Sequence, residues 1–312
     1  MMENISDATK HFTDLRRHMW MAGIDLDLRR LIWQIAVTGK YVYSKIQESN
    51  RKLAGHENIY GEAQLALDMS SDEIIKRQLE FSGFVSHYAS EERDSIVQVG
   101  TGKEKYIVTA DPLDGSSLVD ANLSIGSIIG IHRSSILEEG GKTLVAALSI
   151  AYGPLITVIY SAGNGTHEFV LNREGEYVLS GEDITLQERG NILGAGGLRR
   201  DWTPEHLEYI QQLEDEGYKV RYSGAFISDI NHILIKRGGI FSYPALKGSP
   251  EGKLRLIFEL QPMAFLVEQA GGMATDGRQR ILSIQPKALD QRCPIYMGST
   301  YEVEKAKTFL GN

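Results

Sequence analysis

The residues best suited to chemistry form one short stretch, Asp111-Pro112-Leu113-Asp114-Gly115-Ser116-Ser117. It follows the apolar residues 106–110, which are typical of a buried strand, and Pro112 is expected to end that strand because proline has no N–H. Two carboxylates on such a turn can face one point, and the Gly-Ser-Ser that follows offers N–H and hydroxyl groups to an anion. Carboxylates alone would repel a phosphate, but divalent cations lying between them would bind both, so the two kinds of group can belong to one site. The alternative is an Asx-type turn that caps a helix.

A second acidic pair, Glu91 and Glu92, follows the strand-like residues 84–89. Both acidic clusters therefore end strand-like segments, and such strand ends are where open α/β sheets build their sites. A further carboxylate, Asp68, lies on the helix-like residues 64–80. Neighbouring carboxylates repel one another without cations, and oxygen ligands alone favour Mg²⁺. The pattern indicates a metal-dependent phosphatase, although adjacent glutamates are also typical of a solvated loop.

Composition limits the class of protein. A length of 312 residues suits one large domain or two lobes, and a net charge of −8 with no basic stripe argues against a nucleic-acid partner. No apolar run is long enough to span a membrane and no signal-peptide core is visible, so no membrane partner is expected. The one cysteine, Cys293, excludes an internal disulfide. We therefore expect a cytoplasmic protein.

The hydrophobic pattern divides the chain into successive regions. Residues 5–48 are predicted to be helical with a break near Gly23, and the polar residues 49–63 are predicted to form a mobile loop. Residues 124–178 alternate short β-rich runs with glycine turns, which is typical of an antiparallel sheet. A second αβ lobe is expected after residue 191, with a helix over residues 202–216 that Thr203 caps.

The acidic motifs resemble those of the metal-dependent, lithium-sensitive sugar phosphatases. Within that group, four C-terminal segments resemble class I fructose-1,6-bisphosphatase: residues 221–224, 238–244, 252–259 and 262–272. Three other segments are more similar to sedoheptulose-1,7-bisphosphatase: residues 64–69, 165–169 and 198–199.

The resemblance implies an α/β protein with a layered α-β-α-β-α fold. Residues 1–190 would form an N-terminal metal-binding lobe that includes a lid at residues 49–63, and residues 191–312 a C-terminal sugar-phosphate-binding lobe. The implied activity is Mg²⁺-dependent hydrolysis of the 1-phosphate of fructose 1,6-bisphosphate by a homo-oligomer, either a tetramer or a dimer. The alternatives are a sedoheptulose-1,7-bisphosphatase, an enzyme that accepts both sugars, and a sugar-phosphate-binding regulator without catalysis.

The resemblance also implies a role for each site residue. Two or three Mg²⁺ ions, or Mn²⁺ or Zn²⁺ in their place, would be held by Glu91, Glu92, Asp111, Asp114, Glu259 and the carbonyl group of Leu113. Water would be deprotonated by Asp68 with Glu92, helped by Glu62 on the lid. The phosphoryl oxygens would be oriented by Gly115, Ser116 and Ser117. The sugar and its far phosphate would be bound by Arg221, Tyr222, Tyr243 and Lys253, with Arg221 reaching the site of a neighbouring subunit. Arg255 belongs to the same cluster of basic residues and is also expected to meet substrate phosphate.

The chain departs from the family pattern at two places. Where the fructose enzyme usually has an Asn and a Tyr that contact the 6-phosphate, this chain has Ala195 and Leu198. We expect Arg199 or Arg200, or glycine backbone N–H groups, to supply the missing contact. The family's inhibitory AMP site is matched at Lys105-Tyr106 but poorly at residues 23–26, which leaves AMP inhibition open.

Overall fold

The computed structural model of the chain describes residues 13–52 and 60–311, and it describes side chains for residues 13–48 and 64–311. Within these ranges the strands form an eight-stranded sheet, a five-stranded sheet and a two-stranded ribbon. The first sheet has the order β2-β1-β3-β4-β5-β6-β7-β8. Its strands are β1 Val85–Ser90, β2 Val97–Gln98, β3 Tyr106–Asp114, β4 Ile125–His132, β5 Leu144–Tyr152, β6 Ile156–Ser161, β7 His167–Leu171 and β8 Tyr177–Gly181.

The antiparallel sheet expected over residues 124–178 is confirmed, because β4 to β8 pair with one another in sequence order and antiparallel. The second sheet has the order β10-β9-β11-β15-β13, and the ribbon pairs β12 with β14. Their strands are β9 Ile192–Ala195, β10 Lys219–Val220, β11 Ile240–Tyr243, β12 Leu254–Arg255, β13 Met273–Thr275, β14 Arg292–Cys293 and β15 Ile295–Gly298.

Helices cover both sheets and fill the space between them. They are α1 Leu15–Met21, α2 Leu26–Lys52, α3 Tyr60–Ser82, the single turn α4 Ile136–Glu139, α5 Pro204–Asp215, α6 Phe226–Lys236, α7 Gln261–Gln269 and α8 Thr300–Leu310. One apolar core joins α1, α2 and α3 to the first sheet, and a second joins α6 and α7 to strands of both sheets. A third joins α5 and α8 to the second sheet. The predicted α-β-α-β-α layering is confirmed.

The predicted helix boundaries follow from local chemistry. Helices α1 and α2 are separated at Gly23, whose φ of +70° is readily adopted by glycine. The Thr203 hydroxyl caps α5 by accepting a hydrogen bond from the His206 N–H at 3.3 Å, and Pro204 occupies the first helical position. Of the described helices, none is long and apolar enough to cross a membrane.

Two predictions about local structure were wrong. Strand β3 does not end at Pro112 but continues to Asp114, with a register shift against β4 between Asp111 and Asp114. Such a bulge leaves a residue without a ladder hydrogen bond, so a proline is tolerated there. The loop predicted at residues 49–63 is shorter at both ends, because α2 extends to Lys52 and α3 begins at Tyr60. Residues 53–59 and the side chain of Glu62 lie outside the described residues.

The pairing of β1 with β3 determines where the acidic residues meet. These two strands are parallel and adjacent, with Ser90 opposite Ala110, so their carboxyl ends share one edge of the sheet. The Glu91 N–H continues the ladder by donating to the Ala110 carbonyl at 3.0 Å. The expectation that the two acidic clusters lie at neighbouring strand ends is confirmed.

Candidate active site

A cavity of about 330 Å³ opens at this edge of the sheet. It is lined by most of the predicted site residues: Asp68, Glu91, Glu92, Asp111, Leu113, Asp114, Gly115, Ser116, Ser117, Tyr222, Tyr243, Lys253 and Glu259. These come from α3, from the ends of β1 and β3, from the loop between β10 and α6, and from the segment between the start of β11 and α7. Both halves of the chain therefore build one site.

Three carboxylates form the most concentrated group in the cavity. One oxygen from each of Asp111, Asp114 and Glu259 lies within 4.8 Å of the others, and the three side chains are at most 8% exposed. Each carboxylate accepts a backbone hydrogen bond: Asp111 from Leu113 at 3.0 Å, Asp114 from Ile227 at 2.7 Å, and Glu259 from Arg255 at 2.5 Å. The backbone thus fixes one oxygen of each carboxylate.

Irregular backbone places these three groups. Asp111 and Asp114 flank the register shift of β3, so the bulge turns both toward the cavity. Ile227, the donor to Asp114, lies in the first turn of α6, where backbone N–H groups lack helical partners. Glu259 lies in a π-helical turn, Leu256–Leu260, that leads into α7, and such turns are frequent at functional sites.

The electrostatics of this cluster are unfavourable without a cation. Burial and the neighbouring charges of Glu91, Asp114 and Glu259 raise the pKa of Asp111 well above its ordinary value. Burial likewise raises the pKa of Glu259, and it raises that of Asp114 to about 7 although the Ile227 N–H opposes the shift. Buried carboxylate oxygens without Cys or His fit a hard divalent cation such as Mg²⁺.

A second pair of carboxylates, Asp68 and Glu92, faces the same cavity. Asp68 Oδ2 accepts a hydrogen bond from Ser116 Oγ at 3.2 Å, whereas its buried Oδ1 has no hydrogen-bond partner among the described residues. Burial raises the pKa of Asp68 to about 6, and burial together with the charges of Asp68 and Glu91 raises the pKa of Glu92 to about 7. Groups with such pKa values are suited to proton transfer near neutral pH.

Glu91 and Arg255 form an ion pair at the edge of the cavity. Arg255 Nε donates to Glu91 Oε1 at 2.7 Å, and both side chains are about a quarter exposed, at 23% and 24%. Arg255 was predicted to meet substrate phosphate; in this structure its guanidinium forms an ion pair with Glu91, a predicted metal ligand. Glu91 lines the cavity beside the three-carboxylate cluster without belonging to it.

Another part of the cavity lining is aromatic and cationic. Lys253 Nζ lies 5.6 Å from the centre of the Tyr243 ring, and Tyr222 stacks on Phe241 with ring centres 6.5 Å apart. Gly115 has a φ of +79°, and a Cβ at this position would lie 2.6 Å from the Cβ of Ala225. Only glycine therefore allows the Asp-Gly-Ser-Ser motif to approach the start of α6 this closely.

Besides Arg255, three other predicted arginines are absent from the lining of this cavity. The exposed Arg221 donates to the carbonyl of its own neighbour Val220 at 2.7 Å. Arg199 lies 3.9 Å from Glu214, and Arg200 lies 3.8 Å from Asp201. The structure therefore does not bring Arg199 or Arg200 to the place of the missing 6-phosphate contacts, because their positions on a short 3₁₀ turn after β9 direct them to surface carboxylates.

The glycine-rich segment before that turn has a packing role. The Gly196 N–H donates to the Ser242 carbonyl at 2.8 Å, so it is not free to bind phosphate as predicted. A Cβ on Gly196 would lie 2.3 Å from the Tyr243 ring, which shows how closely the segment packs on the aromatic end of the cavity. Neither Ala195 nor Leu198 lines the cavity, and Leu198 is 57% exposed.

Sequence reasoning missed two polar residues that line the cavity, Gln64 and Arg292. Gln64 Nε2 donates to Ser116 Oγ at 3.0 Å and so completes a chain that ends at Asp68. Its position four residues before Asp68 on one helix face was a usable signal. Arg292 lies on the short strand β14. Residues 291–294 resemble the fructose enzyme, but that resemblance did not indicate a role for Arg292 in the site.

Comparisons with known proteins agree with this geometry. Residues 12–182 match a family model described as fructose-1-6-bisphosphatase, N-terminal domain, and residues 186–311 match the corresponding C-terminal domain. The chain is 49% identical over 304 residues to the class 1 fructose-1,6-bisphosphatase of Geobacter sulfurreducens, covering 97% of each chain. This chain belongs to the class 1 fructose-1,6-bisphosphatase family. The resemblance that its motifs predicted is confirmed.

Further relatives extend the comparison to three dimensions. The class 1 fructose-1,6-bisphosphatase of Geobacter metallireducens is 50% identical over 303 residues, covering 97% of this chain and 96% of the relative. A solved structure of Leishmania major fructose-1,6-bisphosphatase in holo form superposes with a TM-score of 0.87 at 32% identity. That match covers 96% of this chain and 99% of the other, so nearly all of the family fold is present here.

The buried cluster leads to a prediction about stability. The folded-state pKa values of Asp111, Asp114 and Glu259 are raised, so the metal-free folded protein retains protons that the unfolded chain loses above pH ~4. Stability from this cluster is therefore present at low pH and is lost as pH rises toward 7. At pH 8 without metal, Asp111→Asn should increase the free energy of unfolding by at least about 1 kcal/mol.

The measurement is urea denaturation at pH 8 in a chelator and again with Mg²⁺. Mg²⁺ should stabilise the wild type, should stabilise it much less at pH 5, and should have little effect on the Asp111→Asn protein. Asp120→Asn is a matched control, because Asp120 is an exposed residue of the loop that follows the motif. A destabilised Asp111→Asn protein that still responds to Mg²⁺ would contradict this account.

Proposed function

We propose that this protein hydrolyses the 1-phosphate of fructose 1,6-bisphosphate, giving fructose 6-phosphate and phosphate, in sugar-phosphate metabolism. The observation that carries the proposal is one cavity with two kinds of lining: a buried carboxylate cluster, and Lys253 with aromatic side chains. Near-full-length similarity to class 1 fructose-1,6-bisphosphatases supports the choice of the six-carbon sugar over sedoheptulose 1,7-bisphosphate.

The family requires a divalent cation, and we propose two or three Mg²⁺ ions, with Mn²⁺ or Zn²⁺ as substitutes. Asp111, Asp114 and Glu259 would hold them at the cluster, with Glu91, Glu92 and the Leu113 carbonyl completing the donors from the cavity wall. When bound, the cations offset the carboxylate charge, bind phosphoryl oxygens and make a water molecule more acidic.

The protein's own groups would then position the substrate and transfer the proton. Asp68 Oδ1, buried and without a partner among the described residues, would accept the proton of the attacking water, with Glu92 beside it as a second acceptor. Ser116 orients Asp68 through its hydroxyl, and Gly115 and Ser117 present backbone groups to the phosphoryl oxygens. The assisting role of Glu62 stays a prediction, because its side chain lies outside the described residues.

The far end of the cavity would hold the sugar and the 6-phosphate. Lys253 supplies a positive charge there, and the hydroxyl groups of Tyr222 and Tyr243 supply hydrogen bonds. Binding energy at this distance from the reacting bond can be used to position the 1-phosphate, which selects bisphosphates over monophosphates. Ala195 and Leu198 cannot contribute polar contacts. Within one chain, Lys253, Tyr222 and Tyr243 would therefore bind the sugar and the 6-phosphate.

We further propose that the active form is a homo-oligomer, a tetramer or a dimer, with sites shared between subunits. Arg221 directly precedes the cavity residue Tyr222, yet it is exposed, and among the described residues its guanidinium donates a hydrogen bond only to the Val220 carbonyl. That placement suits an arginine that completes the far end of a neighbouring subunit's cavity with its planar pair of donors.

A cytoplasmic location is also proposed. Cys293 is buried and unpaired, and burial raises the pKa of its thiol to about 12. A thiol of this kind is inert and has no disulfide partner in the chain, which is typical of a reducing compartment.

We propose that AMP does not inhibit this enzyme at the family's usual place. Asp25 Oδ1 accepts hydrogen bonds from the N–H groups of Asp27 at 3.1 Å and Leu28 at 3.4 Å, at the start of α2. Lys105 Nζ lies 2.6 Å from Asp27 Oδ2. The chain's own carboxylates thus occupy the helix N-terminus and neutralise the lysine that a phosphate would need.

Activity is the first test. Phosphate release should depend on Mg²⁺ and should be faster from fructose 1,6-bisphosphate than from sedoheptulose 1,7-bisphosphate. Asp68→Asn should lower kcat by about 100-fold or more, because the acceptor of the water proton is lost, while Asp120→Asn should leave it unchanged. Equal or faster release from the seven-carbon sugar would reassign the substrate. No release from either sugar would favour a sugar-phosphate-binding regulator.

The shared site can be tested by mixing two variant subunits that have different defects. Arg221→Ala should raise KM by about 10-fold or more, because a charge-assisted contact to phosphate is lost. Hybrids of Arg221→Ala and Asp68→Asn subunits should regain turnover at low substrate concentration, since an intact cavity on the first subunit receives the arginine of the second. Each variant refolded alone serves as the control. Hybrids no more active than their parents would mean that Arg221 acts within its own chain.

AMP should leave the rate unchanged even at millimolar concentration. The positive control is the product fructose 6-phosphate, which should inhibit in the same assay and so show that inhibition can be detected under these conditions. Strong inhibition by AMP that is not competitive with substrate would overturn the proposal.

A further inference from the structure

Arg292 is a cationic residue of the cavity that the proposed mechanism leaves without a role. It lies on β14, directly opposite Arg255 on β12, in the two-stranded ribbon at the cavity wall. The Leu256 N–H donates to the Gln291 carbonyl at 2.8 Å in the adjoining pair. Arg255 and Arg292 therefore form the next, non-hydrogen-bonded pair, in which facing side chains lie closest.

This pairing places like charges next to each other on the same face of the ribbon. Like charges directly across an antiparallel pair are destabilising. Arg255 offsets its charge through the ion pair with Glu91. Within residues 13–48 and 64–311, no ion pair or side-chain hydrogen bond involves the Arg292 guanidinium, although the residue lines the cavity. An anion bound in the cavity would reduce the repulsion between the two arginine charges.

The direction of the ribbon shows which end of the cavity Arg292 serves. Along the chain, Lys253 lies over Tyr243 at the sugar end, and two residues later Arg255 contacts Glu91 at the carboxylate end. Because Arg292 lies directly across the ribbon from Arg255, whose guanidinium contacts Glu91, we assign it to the carboxylate side of the cavity. The phosphate that reaches this end is the one that is cleaved, not the one at C6.

We propose that Arg292 binds the phosphoryl group that is released, through the planar guanidinium group that it holds across the ribbon from Arg255. This inference rests on the proposed function and adds a phosphate-binding residue to it. Arginine suits the role because its fork of N–H donors matches phosphate oxygens.

The test measures the two products separately on the full-length protein. Inorganic phosphate is titrated into the Mg²⁺-containing protein by calorimetry, and fructose 6-phosphate is assayed as an inhibitor of turnover. Arg292→Gln should weaken phosphate binding by about 10-fold or more, and Arg292→Lys by less, because lysine keeps the charge but loses the fork. Inhibition by fructose 6-phosphate should stay within about 2-fold of the wild type, since that product has no phosphate at the carboxylate end.

Two controls separate this role from a general defect. Arg278→Gln, at an exposed arginine between β13 and β14 that does not line the cavity, should change neither constant. The ligand-free Arg292→Gln protein should melt at or above the wild-type temperature, because a like-charge pair is removed.

Two results would overturn the inference. One is unchanged phosphate affinity in Arg292→Gln, and the other is loss of fructose 6-phosphate inhibition with phosphate affinity intact, which would place Arg292 at the sugar end. Failure of the proposed function is distinguishable, because a wild type inactive toward fructose 1,6-bisphosphate still reports the effect of Arg292 on phosphate binding through calorimetry.

Discussion

The mutual repulsion of three buried carboxylates is the constraint on which the rest of this structure depends. Asp111, Asp114 and Glu259 bring ligand oxygens within 4.8 Å of one another in a place that water hardly reaches. Such a cluster destabilises the metal-free fold, and the surrounding packing must hold it together. Its benefit is strong, oriented binding of divalent cations, so stability and function oppose each other here.

The fold holds this cluster together with backbone rather than with neutralising side chains. Each of the three carboxylates accepts a backbone N–H, from the bulge of β3, from the start of α6 or from the ribbon. Positive side chains lie around the cluster instead: Arg255 is paired with Glu91, and Lys253 lies over the Tyr243 ring. The centre of the carboxylate cluster is therefore available to cations, and the positive side chains around it are available to phosphate groups. This local distribution of charge explains how a protein of net charge −8 can bind a sugar bisphosphate.

The middle helical layer couples the two halves of the chain. Helices α6 and α7 pack on strands of both sheets, and each brings a functional group to the cavity, through the Ile227 N–H and through the π-helical turn that carries Glu259. A change in the packing of this layer would alter the spacing of the carboxylates. The layer therefore acts as the rigid support that positions the site.

The layered fold, the acidic motifs and most of the cavity could be predicted from the sequence alone, because periodicity, strand-end carboxylates and family motifs are local signals. What lies across the cavity from those motifs became clear only from the three-dimensional structure. It extended β3 through Pro112, paired Arg255 with Glu91, left Arg199 and Arg200 at the surface, and placed Arg292 opposite Arg255. These outcomes depend on contacts between residues far apart in the chain, and such contacts are fixed by packing and register rather than by residue type.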